Sequence, residues 1–328
     1  MDKSLLIVFL IFSFTTQTNM NAQKSAGKKI VIAHRGASGY LPEHTMEAKA
    51  MAYAMDCDFI EQDLALSKDD IPIVIHDIYL DEVTDVVHKF PERKREDGRY
   101  YVMDFTFEDL KKLKVSERFD RETKEAEYPN RFPSGKSNFR LHSLQDEIEL
   151  IKGLNKSTGK NIGIYPEIKN PEFHRENGKD ISKIVLKILS EYGYKTKEDN
   201  CILQCFDAVE LKRIRTVLKS ELFLTQLIGI PGQEELIPEY ATYANAIGPW
   251  AKLLISGYDD NGDIIFSDLV TNAHKAGLKV HAYTFRADQL DDFSSFEDLL
   301  ENAFYKAGVD GVFTDFPDKV VEFLDSEK

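Results

Sequence analysis

The chain has 328 residues, 42% hydrophobic and 30% charged, with a formal net charge of −14. That length and apolar share suffice for a large core, as one big domain or as a domain carrying an insertion. The acidity argues against nucleic acid as a partner, because phosphate backbones select basic surfaces, and it requires any anion site to be built from local cations or a metal.

The first 22 residues differ from the rest. Lys3 precedes the apolar run Leu5 to Phe14, interrupted only by Ser13, and a polar stretch leads to Asn21-Ala22-Gln23. The run is too short to span a bilayer but suits the h-region of a secretory signal cleaved near Ala22. No cysteine follows it to carry a lipid, and no other segment is apolar enough to cross a membrane. The expectation is residues 1–22 as a signal peptide and 23–328 as an exported protein, periplasmic or secreted, without a stable membrane anchor.

Nine β-branched runs follow, at 29–34, 58–66, 71–76, 162–168, 201–206, 222–228, 246–250, 278–285 and 311–316. Amphipathic stretches such as 180–193, 207–220 and 266–277 separate most of them, and such alternation means a parallel sheet. Asp69-Asp70 reads as the turn of a hairpin joining 58–66 to 71–76, and an arm that doubles back cannot be a barrel strand. Eight βα units remain, the count of a TIM (β/α)8 barrel. Residues 77 to about 161 are charged and loop-rich, and read as an insertion packed over one end of the barrel. Cys201 and Cys205 lie four residues apart on one strand, about 13 Å, too far for a disulfide; with Cys57 they read as buried fillers.

Catalytic groups of such barrels sit at the C-terminal ends of the strands. His34-Arg35 ends the first strand and Glu61-Gln62-Asp63 lies on the second. Glu167 and Lys169 end the third, Gln204 and Phe206 the fourth, Tyr283 the seventh, and Thr314-Asp315-Phe316 the eighth. Glu61 and Asp63, two apart, project to one face, where two unpaired carboxylates are not tolerated. With Glu167 on the adjacent strand they form an all-carboxylate set, hard enough for Mg²⁺ or Ca²⁺ rather than zinc. A two-residue turn at Asp69-Asp70 would put His76 opposite Asp63, delivering a second histidine beside His34 as an acid–base pair. Arg35 and Lys169 supply cations for an anionic phosphoryl centre. Glu43 either orients Arg35 or bonds a substrate hydroxyl, His44 packs or caps, and Phe206, Tyr283 and Phe316 wall a small pocket. His281, sharing a face with Tyr283 but deeper, is a core filler, while His88, His142, His174 and His274 are expected in solvent.

His34-Arg35-Gly36, Glu61-x-Asp63, His76-Asp77 and Pro166-Glu167-Ile168-Lys169, in that order, resemble the glycerophosphodiester phosphodiesterase family. The longer stretches AHRGASGYLPEHT, FPERKREDGRYYVMDFT, STGKNIGIYPEIK and GVFTDFPD look like its periplasmic, calcium-dependent bacterial branch. The likeness runs from Lys29 to Leu324. It implies a TIM barrel with a small insertion after the hairpin, Ca²⁺ (with Mg²⁺ as substitute) on Glu61, Asp63 and Glu167, proton exchange by His34 and His76, and phosphate contacts from Arg35 and Lys169. The pattern departs over 229–260, where the segment is shorter and Trp250 replaces a polar residue.

The implied activity is metal-dependent hydrolysis of glycerophosphodiesters, such as glycerophosphocholine or glycerophosphoethanolamine, to sn-glycerol 3-phosphate and an alcohol. Two rivals are a phospholipase acting on intact lipids, which needs an apolar rim, and a binding protein that captures phosphodiesters without turnover. The oligomeric state is left open.

Overall fold

The computed structural model describes residues 27–327, so the expected signal peptide lies outside the described residues. Eleven strands form among them: β1 (Ile30–Ala33), β2 (Phe59–Leu66), β3 (Pro72–Val74), β4 (Gly163–Ile168), β5 (Ile202–Cys205), β6 (Phe223–Ile228), β7 (Ala246–Pro249), β8 (Ile255–Tyr258), β9 (Ile264–Phe266), β10 (Lys279–Phe285) and β11 (Gly311–Thr314). Leaving out β3, β8 and β9, eight strands pair in parallel in chain order, and β1 closes the ring by pairing with both β2 and β11. The fold is the expected TIM barrel, and β3 is the antiparallel hairpin arm set aside in counting. The β8–β9 hairpin was not foreseen. Its strands are short and half-exposed, so no apolar alternation marks them.

Strand alternation divides the side chains between two environments. Val31, Ala33, Ile60, Leu64, Ile164, Leu203 and Leu224 face outward and pack with the helices in one continuous core. Ile32, Tyr165, Ile202 and Phe313 face inward and fill the barrel. The Tyr165 hydroxyl bonds Thr225 Oγ1 at 2.6 Å and His281 Nδ1 at 2.9 Å. His281 is thereby part of a closed floor, and the inward residues two steps further along β1, β2, β4 and β5 form the layer above it.

The insertion shares a second core with the β2–β3 hairpin, running from Ala65 to Leu141 and separate from the barrel core. Barrel packing resumes earlier than the expected 161. The helix Leu144–Thr158, opened by a Ser143/Asp146 capping box, places Leu144, Ile148 and Ile151 in the barrel core. That i, i+4, i+7 stripe is the face a barrel helix turns inward. His142 and His174, expected in solvent, are 5% and 1% exposed.

One buried polar knot clamps β2 from outside. Glu147 lies 3.1 Å from Lys49 Nζ, accepts from Gln62 Nε2 at 2.8 Å, and meets His142 Nε2 at 2.8 Å. Lys49 also donates to the main-chain carbonyl of Glu61. Burial raises the Glu147 pKa, but Lys49 and the His142 bond outweigh it and bring it down to about 2. Removing one partner strands a buried charge, so Lys49→Ala should cost about 3–5 kcal/mol in urea unfolding. Because the folded pKa of Glu147 lies below its ordinary value, its contribution is complete above pH ~4.5 and lost as pH falls toward ~2. The stability gap between wild type and Glu147→Gln should therefore shrink over that interval; a gap independent of pH would show that the carboxylate is not charged in the fold.

Candidate active site

The layer above the floor is polar throughout. Parallel pairing puts Asp63 beside Glu167 and Glu167 beside Gln204. Glu61, Asp63 and Glu167 each offer an oxygen within 4.8 Å of the others, and all three are buried. They line a cavity of about 230 Å³ together with His34, Arg35, His76, Lys169, Gln204, Phe206 and Tyr283.

The turn after β1 explains the His-Arg-Gly sequence. Arg35 is left-handed at φ 57° and Gly36 at φ 90°. A Cβ on Gly36 would come within 2.9 Å of the Ala48 backbone, so only glycine fits. This tight turn aims the Arg35 main-chain N–H at Glu61 Oε2, 2.8 Å away. The strained residue is thus itself a site residue.

His76 reaches the cavity by a different route from the one expected. Leu64 pairs with Val74 and Leu66 with Pro72, and the Ile75 N–H donates to the Asp63 carbonyl. Asp63 is opposite Ile75, not His76. The loop takes three residues, Lys68 to Asp70, with Asp70 left-handed at φ 63°, a common alternative to the two-residue turn. β3 ends at Val74, and the bend that follows swings His76 back over the cavity.

Three carboxylates in one buried layer repel. Burial, then Asp63 and Glu167, pushes the Glu61 carboxyl well above its usual range. Burial raises Glu167 to about 8, with Lys169 opposing and Asp63 adding. Asp63 alone falls well below its usual range, because Lys169 and the His44 hydrogen bond outweigh burial. Lys169 Nζ lies 2.8 Å from Glu167 and 3.7 Å from Asp63. The Arg35 guanidinium is shared with Glu43 outside the cluster: Nη1 bonds Glu43 Oε2 at 2.7 Å, while Nε lies 3.7 Å from Asp63. Two cations, one of them shared, do not balance the cluster. Gln204 donates to Glu61 at 3.0 Å, while its Oε1 is buried without a partner. A hard divalent cation fits this donor set, with Glu61, Asp63 and Glu167 as its ligands.

Each histidine has one ring nitrogen spoken for. His34 Nδ1 bonds Asp315 Oδ1 at 2.6 Å, and His76 Nδ1 bonds Asp77 Oδ1 at 2.9 Å. A carboxylate only accepts, so in both rings Nδ1 carries the proton and Nε2 keeps a lone pair. Burial, then Arg35, lowers both to about 4. Each ring is a neutral base in the free protein.

The remaining expectations divide. Gln204, Phe206 and Tyr283 line the cavity, and the Phe206 and Tyr283 rings meet edge-on at 5.8 Å. Glu43 is turned to Arg35 and Arg118 instead of lining it. Phe316 packs edge-on to Tyr40 at 5.2 Å and against Gly39, outside the lining. Phe313 faces into the barrel and supplies the wall instead; Phe316, three residues on, falls on the opposite side by strand alternation. His44 does more than cap: its Nε2 bonds Asp63 at 2.7 Å. Asp315, Asp77 and Arg286 were given no role from sequence, although Asp315 stood among the strand-end polar residues and Asp77 follows His76.

Fold and site together define a (β/α)8-barrel protein whose C-terminal mouth carries a buried carboxylate cluster able to hold a metal ion. Residues 34–319 match the model of the glycerophosphoryl diester phosphodiesterase family. The glycerophosphodiester phosphodiesterase of Haemophilus influenzae is 46% identical, covering 94% of this chain and 93% of that protein. That of Treponema pallidum is 36% identical, covering 91% and 92%. Among solved structures, a Thermotoga maritima glycerophosphodiester phosphodiesterase shares the fold at TM-score 0.57 and 20% identity, covering 90% of this chain and 98% of that one. An Oleispira antarctica phosphodiesterase, solved with the product sn-glycerol-3-phosphate, does so at TM-score 0.63 and 22% identity, covering 92% and 97%. The chain belongs to the glycerophosphoryl diester phosphodiesterase family.

If the carboxylates are cation ligands, Glu167→Gln should weaken Ca²⁺ binding at least about tenfold in a calorimetric titration. Equal binding by the two proteins would remove Glu167 from the ligand set.

Proposed function

We propose that this chain hydrolyses glycerophosphodiesters, among them glycerophosphocholine and glycerophosphoethanolamine, to sn-glycerol 3-phosphate and the free alcohol, with Ca²⁺ as its cation and Mg²⁺ as a substitute. The carrying observation is the buried triplet of Glu61, Asp63 and Glu167, with two imidazoles lining the same cavity whose Nδ1 atoms are bonded to carboxylates, the His34 Nε2 lying 3.8 Å from Glu61. Family membership supports the diester chemistry, and the product bound by the Oleispira antarctica protein supports the assignment of glycerol phosphate.

Held by Glu61, Asp63 and Glu167, a cation would supply Lewis-acid polarisation of the phosphate and of an attacking oxygen. Arg35 and Lys169 hold the nonbridging oxygens and offset their charge. Their positive charge also lowers the His76 pKa after burial, as Arg35 does for His34, so a phosphate anion between them favours protonation of one ring. One Nε2 takes the proton of the attacking oxygen, and the other imidazole protonates the departing alkoxide. Gln204 Oε1, buried and unpartnered, is placed to accept from a glycerol hydroxyl, while Phe206 and Tyr283 wall the carbon chain. A second depression of about 570 Å³ shares His76, Glu167, Lys169 and Phe206 with the cavity, giving the leaving alcohol a way out. Glu172 and Glu176 on its wall make that side polar, favouring deacylated head-group diesters over intact lipids.

Alcohol release from glycerophosphocholine should vanish with a chelator and return with Ca²⁺, and His76→Ala should lower kcat by about 10²–10⁴-fold. Near-full turnover by His76→Ala would contradict the two-histidine scheme. The first 22 residues support export; the mature protein recovered from the periplasm or medium should begin near Gln23, and an intact Met1 there would contradict it.

A further inference from the structure

Each carboxylate that orients a histidine uses one oxygen for the imidazole and has a second one to place. Asp315 gives its Oδ2 to Arg286 Nε at 2.7 Å and to Arg131 Nη2 at 2.8 Å. Asp77 gives its Oδ2 to Arg118 Nη1 at 2.8 Å. Arg286 belongs to the barrel, following β10. Arg118 and Arg131 do not: both come from the insertion. Their side chains are 9% and 4% exposed.

Both arginines are themselves fixed. Arg131 forks onto Asp288 through Nε at 2.8 Å and Nη2 at 3.0 Å, and its guanidinium lies 3.7 Å from the centre of the Tyr128 ring. Arg118 forks onto Glu43 through Nη2 at 2.7 Å and Nε at 3.2 Å, and Glu43 passes the constraint to Arg35. A carboxylate bonded through one oxygen can still turn about its own χ2. Bonding the second oxygen to a planar, immobilised fork fixes its plane, and with it the direction of the imidazole N–H.

We infer that the insertion is a positioning module for the two histidines, with Arg131 acting through Asp315 on His34 and Arg118 acting through Asp77 on His76. The inference rests on the proposed proton-exchanging roles of His34 and His76. It accounts for an inserted segment whose buried arginines reach Asp315 and Glu43 of the barrel and Asp77 beside His76. The two chains are unequal. Asp315 keeps Arg286 when Arg131 is removed, whereas Arg118 is the one arginine on Asp77 among the described residues.

The test is steady-state kinetics on glycerophosphocholine with thermal unfolding measured alongside. Arg131→Ala should lower kcat about 10-fold and Arg118→Ala about 100-fold, the range seen when a group orienting a functional histidine is lost. KM for Arg131→Ala should stay within about threefold, and millimolar guanidinium ion should restore part of the lost kcat in both variants. Adding Arg131→Ala to Asp315→Ala should change kcat by less than about twofold, since the path from arginine to histidine is already cut. Lowered stability with unchanged kcat, or an undiminished Arg131→Ala effect in the Asp315→Ala background, overturns the inference. Should an alanine variant not fold, Arg→Lys keeps the charge and stem but not the fork; reduced kcat near wild-type stability supports the inference and unchanged kcat overturns it. His34→Ala is run beside them: if it keeps wild-type kcat the two-histidine scheme falls, and if it alone loses activity only the positioning role falls.

Discussion

Three carboxylates share one buried layer at the mouth of the barrel, and nearly everything around them answers that crowding. Like charges in a poorly hydrated site cannot all ionise unless something positive joins them. The protein places Lys169 against Glu167, the Arg35 amide against Glu61 and His44 against Asp63, which holds the ligand-free arrangement together without balancing it. Under the proposed function, that deficit would give the site its affinity for a hard cation, and the cation in turn would draw phosphate to the barrel mouth. Catalysis and folding draw on the same feature with opposite needs. The buried Lys49–Glu147 knot on the outer side of β2 secures the strand that carries two of the three acids.

Much of this was legible from the order of residues. Glu61-x-Asp63 announces two inward carboxylates because strand periodicity is strict, and the parallel neighbour carrying Glu167 follows from βα alternation alone. The eight barrel strands lie within two residues of where β-branched runs put them. His34-Arg35-Gly36 marks a strand end by its chemistry, and the glycine is explained by a positive φ and the Ala48 backbone behind it.

What failed did so for local reasons. The hairpin register depended on whether Asp70 would adopt a left-handed conformation, which propensity does not decide, so His76 arrived by a bend instead of by pairing. Phe316 stands an odd number of residues beyond inward-facing Phe313, so strand alternation turns it away from the cavity. His44 was read only as packing or capping, and Asp77, Asp315, Arg118 and Arg131 were given no role, because their importance is relational. Each is an ordinary loop or strand-end residue until the fold brings its partner within hydrogen-bond reach. The insertion was recognised as charged, loop-rich and packed over one end of the barrel, but no role was read from its arginines. In the structure, two of those charges are buried against the active-site carboxylates.

The account stands on the carboxylate triplet as a cation site. Anomalous diffraction from crystals of the protein grown with Ca²⁺ addresses it most directly. One peak is expected at roughly 2.3–2.6 Å from oxygens of Glu61, Asp63 and Glu167, with Lys169 moved off Glu167. Density free of any ion there at saturating Ca²⁺, with Lys169 still seated on Glu167, would mean that the protein settles the charge by itself and would contradict the account.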